Sequence, residues 1–426
     1  PMLSFALREL GCTAGVVVTA SHNPPQYNGY KVYWEDGAQI TAPKDKQIIT
    51  EVQAITDFAQ VKTMSEEDAK AAGLYEVIGE EIDDKYMEAL KKLVLRPEAI
   101  KEQADKLKIV YTPLHGTGNI PVRRVLKELG FNNVYVVKEQ ELPDGDFPTV
   151  SYPNPEDKNA FTLALKLAAE VDADIVLATD PDADRLGIYA KNEKTGEYES
   201  FTGNMSGMLI LEYLLSQRKE LGMLPENGAV VTTIVSGKMA RVIAKEYNVA
   251  LIETLTGFKY IGEQIKFFEQ NHDYEFLFGY EESYGCLEGT HARDKDAVVA
   301  VMALCEAAAY YKSKGITLCE QMEKLYQKYG FYKESLFFQT FPGAEGKAKI
   351  DGLMDALRNQ PPKQVGPFKV TALEDYKKSV RTDIATGETS ALTLPESNVL
   401  YFELEDGAWF CVRPSGTEPK IKYYAG

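Results

Sequence analysis

The sequence predicts an α/β protein with several domains and with largely parallel or mixed sheets. Short apolar strands alternate along the chain with stretches of helical spacing, the pattern of stacked α/β layers. Four of those strands end in a small polar residue and a special loop, VVVTASHN, IVYTPLHG, IVLATDPD and VVTTIVSG, which looks like one strand-to-helix theme reused in successive domains. At 426 residues the chain is too long for one core and suits about three or four domains.

Composition narrows the class. Hydrophobic residues make up 44% and charged residues 26%, as in soluble globular proteins. No apolar run approaches the roughly 20 residues needed to span a bilayer, and no signal-peptide pattern opens the chain, so no membrane partner is expected. Five scattered cysteines without C-x-x-C spacing fit reduced thiols in a cytoplasm. With 47 basic against 64 acidic residues the net charge is −17, which argues against nucleic acid as a partner, since such binding is carried by basic surface. A small phosphorylated ligand stays compatible with this charge, because a few placed Arg and Lys can hold it locally. The chain starts Pro1-Met2 and stops at Ala425-Gly426 just after a predicted strand, so a segment truncated at both ends is expected.

In chain order, residues 14–19 form a β-branched strand that breaks into the loop Ala20-Ser21-His22-Asn23-Pro24, punctuated by Pro and Asn-Gly. Ser21 is a candidate nucleophile with His22 beside it, although there is no G-x-S-x-G elbow and a turn role is the simpler reading. The next strand begins with Lys31, which is placed to point back at the loop. Residues 43–106 carry apolar positions near a 3.6 period (Ile48, Ile49, Val52, Ile55; Tyr86, Leu90, Leu93), predicting amphipathic scaffold helices. Pro97 opens a fresh helix and marks a boundary. The strand at 108–111 leads into the Gly-rich turn Leu114-His115-Gly116-Thr117-Gly118. Its amides could face an anion, though a plain strand-to-helix turn is the simpler account.

The strand Ile175-Val176-Leu177 ends in Asp180-Pro181-Asp182-Ala183-Asp184-Arg185, three carboxylates at i, i+2 and i+4 at the carboxyl end of a strand, where open α/β sheets bind ligands. Like charges so close raise one another's pKa unless a cation or donors stabilise them. A hard divalent ion taking oxygen ligands answers this, and Mg²⁺ with a position left for a phosphate oxygen is the expected one. An EF-hand is excluded, because position six is Arg185 and position twelve Lys191 where Gly and Glu are needed. An aspartate-nucleophile phosphatase using Asp180 stays open, as does a solvated acidic turn.

Beyond residue 200 two further strands end in loops, Thr256-Gly257-Phe258-Lys259 and Glu281-Glu282-Ser283-Tyr284-Gly285. The second suits hydrogen bonds to vicinal hydroxyls. The knot His291, Arg293, Asp294, Lys295 and Asp296 precedes an apolar helix. There Lys295 or His291 would serve as acid or base if burial moved its pKa toward neutrality. Near the end, Arg413, Ser415, Gly416, Thr417 and Lys420 crowd together, a guanidinium fork with hydroxyls and amides that matches phosphate oxygens.

These four loops, Thr-Ala-Ser-His-Asn-Pro, Asp-x-Asp-x-Asp-Arg, Glu-Glu-Ser and Arg-Pro-Ser-Gly-Thr-Glu-Pro, resemble in kind and order those of the alpha-D-phosphohexomutase family, its phosphoglucomutases above all. The resemblance implies three successive α/β domains of related topology plus a smaller C-terminal α+β domain, arranged around a central cleft. It divides the chain at 1–96, 97–200, 201–328 and 329–426. It implies interconversion of glucose 1-phosphate and glucose 6-phosphate through phosphorylated Ser21 and a glucose 1,6-bisphosphate intermediate, in a cytoplasmic monomer or homodimer.

By the same resemblance Asp180, Asp182, Asp184 and a phosphoserine oxygen of Ser21 would hold Mg²⁺. Lys31, Arg185, Lys295 and His22 would lie at the reacting centre. Thr256, Gly257, Lys259, Glu281, Ser283, His291 and Arg293 would meet the sugar, and Arg413, Ser415, Gly416, Thr417 and Lys420 a distal phosphate. Tyr-Glu-Glu-Ser and Asp-Pro-Asp-Ala-Asp depart from the commoner Gly-Glu-Glu-Ser and Asp-Gly-Asp and resemble the branch with phosphopentomutase-like members. Phosphopentomutase or phosphomannomutase activity therefore stays an alternative. The missing leader would carry an Arg near the phosphoserine, so a phosphosugar-binding fragment without turnover is the reading from another class.

Overall fold

The computed structural model describes residues 1–341, 345–416 and 419–426. The chain forms two compact units, one of residues 1–232, 243–252 and 257–325, the other of residues 233–242, 253–256 and 326–426.

The first unit opens with α1 (Met2–Glu9), packed on β1 (Ala14–Val18), which pairs antiparallel with β2 (Tyr30–Trp34). Gly15 permits this, because a Cβ there would lie 2.8 Å from Leu7 Cδ1. Next come α2 (Lys44–Ala54), α3 (Glu66–Ala71) and α4 (Glu80–Lys91). The helical spacing is fulfilled in α4, which buries Ile82, Tyr86, Met87 and Leu90. It misleads in α2, which buries nothing: Ile49, Val52 and Ile55 stay about half exposed. Period 3.6 marks a face and says nothing of what covers it.

A mixed five-stranded sheet follows. Its elements are α5 (Pro97–Gln103), with Pro97 at its first turn, β3 (Ile109–Thr112), α6 (Asn119–Glu128), β4 (Val134–Val136), α7 (Thr162–Val171), β5 (Ile175–Thr179), β6 (Leu186–Lys191) and β7 (Tyr198–Phe201). The order is β4-β3-β5-β6-β7, with β3 parallel to β4 and β5, and β6 antiparallel to β5 and β7. β3 and β5 are buried on both faces, which is why they read as continuous apolar runs.

The third layer system holds α8 (Gly203–Glu220), β8 (Gly228–Thr233), α9 (Met239–Glu246), β9 (Ala250–Thr254), α10 (Phe258–Asn271), β10 (Glu275–Tyr280), β11 (Cys286–Glu288), α11 (Ala297–Ser313) and α12 (Leu318–Tyr329). Its strand order is β11-β10-β8-β9, with β10 parallel to β8 and antiparallel to β11. α11 is buried along nearly its whole length, and the Asp296 carboxylate accepts the amides of Val298 and Val299 at its start.

The second unit is α+β. It contains β12 (Ser335–Thr340), α13 (Glu345–Asn359), β13 (Gln364–Val365), β14 (Phe368–Asp375), β15 (Val380–Asp383), β16 (Thr389–Ala391), β17 (Leu400–Leu404), β18 (Trp409–Pro414) and β19 (Lys420–Ala425). Its antiparallel sheet has the order β12-β19-β18-β17-β14-β15-β16, with β13 beside β14. Ile350 and Met354 of α13 pack with Leu400, Phe402, Val412 and Ile421. Lys238 also belongs here. Its Nζ donates to the Ile234 carbonyl and to Glu253, each at 2.8 Å, and lies 5.6 and 5.3 Å from the ring centres of Tyr401 and Trp409.

The expected α/β layers and the smaller α+β part are both present. The repeat needs correction. IVYTPLHG and VVTTIVSG are strand-to-helix turns, whereas VVVTASHN and IVLATDPD lead from one strand into an antiparallel neighbour, as the Glu281–Gly285 loop also does. Residue type at a strand's end does not reveal which kind of element follows. Among the described residues no helix is long and apolar enough to cross a membrane.

Candidate functional site

Three hairpin loops of the first unit hold most of the candidate site residues. At the end of β1 the chain turns sharply, with Ser21 at φ +53°, in the left-handed region that non-glycine residues seldom enter. Thr19 braces it: its hydroxyl accepts the Ser21 amide at 2.7 Å and donates to Asp182 Oδ2 at 3.2 Å. Ser21 Oγ thereby lies 3.1 Å from His22 Nδ1, 3.4 Å from Asp180 Oδ2 and 3.5 Å from Asp182 Oδ1.

The acidic loop is wound around Asp180, whose Oδ1 accepts the amides of Asp184 and Arg185 at 3.0 and 2.9 Å. The Gly-rich turn packs against this loop. A Cβ on Gly116 would lie 2.4 Å from Pro181 Cα, and the Thr117 amide donates to the Pro181 carbonyl at 2.8 Å. Lys31 Nζ bonds Asp182 Oδ2 at 2.9 Å and Asp184 Oδ2 at 2.7 Å, and Lys295 Nζ reaches the same Asp184 oxygen at 3.1 Å. Arg185 bonds Glu156 at 2.6 Å through one terminal nitrogen. Its Nε, without a hydrogen-bond partner among the described residues, stands 3.9 Å from Asp180 Oδ2 and 3.8 Å from Asp184 Oδ1.

Burial, then the charges of Asp184 and Asp182, push the Asp180 carboxyl well above the usual carboxylate range. Burial acts on Asp184 in the same direction, but Lys295, Lys31 and Arg185 outweigh it and hold it well below that range. The two lysines respond in kind. Burial lowers the affinity of Lys295 for its proton, yet Asp184 and Asp294 raise its pKa above the ordinary value, and Asp184 and Asp182 do so for Lys31. The expectation that burial would bring Lys295 toward neutrality is therefore corrected. In this arrangement it is a fixed cation.

The donor set suits a hard divalent ion. Asp180, Asp182 and Asp184 each offer a carboxylate oxygen within 4.8 Å of the others. The lysines occupy the Oδ2 atoms of Asp182 and Asp184, while buried Asp184 Oδ1 has no hydrogen-bond partner among the described residues.

The Glu281–Gly285 loop is fastened to the acidic loop. Arg185 and Gly285 form an antiparallel bridge, and the Leu186 amide donates to the Tyr284 carbonyl at 3.0 Å. Glu281 is buried and accepts the Gly257 amide at 2.8 Å, with Gly257 at φ +118°. Gly285 leaves the passage for Lys295, whose Cδ would be 2.1 Å from a Cβ there. Asp294, next to Lys295, accepts the Tyr33 hydroxyl at 2.5 Å and the Gln39 amide nitrogen at 2.8 Å.

The structure brings together Ser21, His22, Lys31, the three aspartates, Arg185 and Lys295, with Gly257, Glu281 and half-buried Ser283 on the adjoining loop. It does not bring His291 or Arg293 to them. His291 Nε2 meets Asp296 at 2.8 Å, where Tyr86 also donates, and Arg293 pairs with Glu269 with its side chain 3% exposed. Lys259 lies over the ring of its neighbour Tyr260. Thr256 falls in the second unit. There Arg413 donates to the Tyr424 hydroxyl at 3.1 Å, the Ser415 amide closes the turn onto the Lys420 carbonyl at 2.8 Å, and space around Gly416 is open. Thr417 lies outside the described residues. Sequence reasoning gave no role to Thr19, Glu156, Tyr33 or Asp294, although Thr19 stands in the Thr-Ala-Ser-His-Asn-Pro motif and Asp294 in the cluster at 291–296.

Comparison with known proteins gives the family. Descriptions of phosphoglucomutase/phosphomannomutase domains match in order: alpha/beta/alpha domain I over residues 1–58, domain II over 84–195, domain III over 202–329 and the C-terminal domain over 360–426. A phosphoglucomutase of Staphylococcus epidermidis is 40% identical over 426 residues, all of this chain and 75% of that protein. One of Staphylococcus aureus is 37% identical over 424 residues, covering 74% of its length. In fold, the chain is similar to the Paramecium phosphoglucomutase parafusin (TM-score 0.65, 19% identity, 99% of this chain and 75% of that one). It is also similar to a phosphoglucomutase/phosphomannomutase family protein of Burkholderia thailandensis (TM-score 0.63, 18% identity, 97% and 72%). With all four domains matched in sequence and relatives this similar over its whole length, the chain belongs to the phosphoglucomutase/phosphomannomutase family of phosphotransferring isomerases.

Proposed function

We propose that the protein is a phosphoglucomutase in which Ser21 carries the transferable phosphoryl group. The observation that carries the reading is Ser21 Oγ, 3.4 and 3.5 Å from the carboxylates of Asp180 and Asp182, with Lys31 and Arg185 against the same cluster. Phosphorylated Ser21 gives its phosphoryl group to the free hydroxyl of a glucose monophosphate; the O–P bond to Ser21 breaks as that to the sugar oxygen forms, and the hydroxyl proton ends on the released Ser21 oxygen. The resulting glucose 1,6-bisphosphate turns end for end, and the Ser21 oxygen takes back the other phosphoryl group. Little covalent chemistry is asked of the protein, so positioning and charge stabilisation dominate. Lys31 and Lys295, both kept protonated, offset the charge gathering on the transferred group, while Glu281 and Ser283 accept and donate to sugar hydroxyls. Asp180, Asp182 and Asp184 would hold Mg²⁺, which when bound neutralises charge on the phosphoryl oxygens. In the second unit the turn of Arg413, Ser415, Gly416 and Lys420 offers donors to a phosphate.

The test is interconversion of glucose 1- and 6-phosphate by the full-length protein with Mg²⁺ and a trace of the bisphosphate. Wild type turns over and acquires an acid-stable phosphate at Ser21. Ser21→Ala does neither. Phosphate on Asp180, which would be acid-labile, would favour a phosphatase. Mannose and ribose 1-phosphates in the same assay decide among the sugars, and the glucose preference is supported by the relatives' names.

A further inference from the structure

We propose that Glu156 is a positioning residue for the phosphoryl transfer, one that acts through Arg185 by holding its guanidinium back from the metal-site carboxylates. The inference rests on the reading given above. Arg185 is anchored at one end only, its terminal nitrogen 2.6 Å from Glu156 Oε1. Its other edge is held at 3.8 to 3.9 Å from Asp184 Oδ1 and Asp180 Oδ2, beyond hydrogen-bond distance, and its buried Nε has no hydrogen-bond partner among the described residues. A guanidinium this close to two carboxylates closes the remaining ångström unless something opposes it, since forked Arg–carboxylate pairing is strong. Glu156 supplies the opposing pull. What it keeps free are the oxygen atoms that the ion needs and the donor edge that a phosphate on Ser21 would use.

The placing of Glu156 is built into the backbone. Proline precedes both Asn154 and Glu156, fixing φ at Pro153 and Pro155, and the buried Asn154 side chain accepts the Glu156 amide at 3.1 Å. The turn is pressed on β6 where Gly187 has no side chain, as a Cβ there would lie 2.7 Å from Pro155 Cβ.

The experiment is a double-mutant cycle in the full-length protein with Glu156→Ala, Arg185→Ala and both, together with Glu156→Gln. Turnover of glucose 1-phosphate and calorimetric binding of Mg²⁺ are the readouts. Wild-type turnover checks the underlying reading separately; without it that reading fails, whatever Glu156 does. The expected results are a kcat about 10- to 100-fold lower for E156A with KM for the sugar phosphate near wild type, and weaker Mg²⁺ binding. E156Q, which keeps the acceptor oxygen, should recover part of the loss, and E156A should cost nothing further once Arg185 is gone. Wild-type kcat in E156A, unchanged Mg²⁺ affinity, no recovery in E156Q, or additive losses in the cycle would each overturn the proposal.

Discussion

Two ammonium groups converge on a single carboxylate oxygen at Asp184, and buried lysines so close together repel each other unless further negative charge stands nearby. Asp294 provides it. Its carboxylate is held below the usual range against the effect of burial by Lys295 and Lys31, and it is seated by donors from Tyr33 and Gln39. Because hydrogen bonds to a charged group contribute about 1.5–3 kcal/mol, Tyr33→Phe should lower the unfolding free energy by that amount in urea titrations. A change within about 0.5 kcal/mol would mean that water or Gln39 replaces the hydroxyl fully.

At the scale of elements, the recurring device is a strand, a tight functional loop, and a return strand antiparallel to the first. Hydrogen bonds on both sides of each loop fix its direction, so side chains at the tip are aimed by the sheet. The last of these loops has no room to vary at Gly285. Gly285→Ala would press its methyl on the stem of Lys295 and displace the ammonium from Asp184, at a stability cost of about 1–3 kcal/mol. Steady-state assays should then show kcat falling while KM for Mg²⁺ and for sugar phosphate changes less; an unchanged kcat would show that Lys295 need not sit there.

The same loops explain what the sequence could reveal. Asp180, Asp182 and Asp184 declare themselves by spacing, because their neighbours in space are neighbours in the chain. Glu156 meets Arg185 across 29 positions and Tyr33 meets Asp294 across 261, so neither pair leaves a local pattern. The knot at 291–296 was legible as a cluster but not as a division of labour: Lys295 turns to the site, whereas His291 and Arg293 brace other elements. The stripe on α2 was legible as a helix and silent about its exposure.

At the scale of the molecule, α11 is the helix of the first unit against which α5, α6, α8, β6 and β11 pack. Its Glu306 accepts the amides of Leu95 and Arg96, at the joint before α5, at 2.7 and 2.5 Å. Burial pushes this carboxyl up to about 7, and burial likewise pushes Glu288 of β11 to about 8, from an ordinary 4.5. A raised carboxyl keeps its proton in the folded state where the unfolded chain has released it. Stability is therefore greatest below about 4.5 on this account and falls as pH rises toward 7 and 8. Denaturant titrations at pH 5.5 and 8.5 should show the decline, and Glu306→Gln, which keeps an acceptor for both amides, should shrink it. An identical decline in the variant would remove Glu306 from the explanation.

The second unit is not one stretch of chain, since residues 233–242 and 253–256 belong to it while its main segment begins at residue 326. During synthesis those early segments leave the ribosome well before their partners exist. Lys238 must wait for Tyr401 and Trp409 before its charge rests between aromatic faces. Until then the growing polypeptide carries an unfinished surface at residues 233–242 and 253–256.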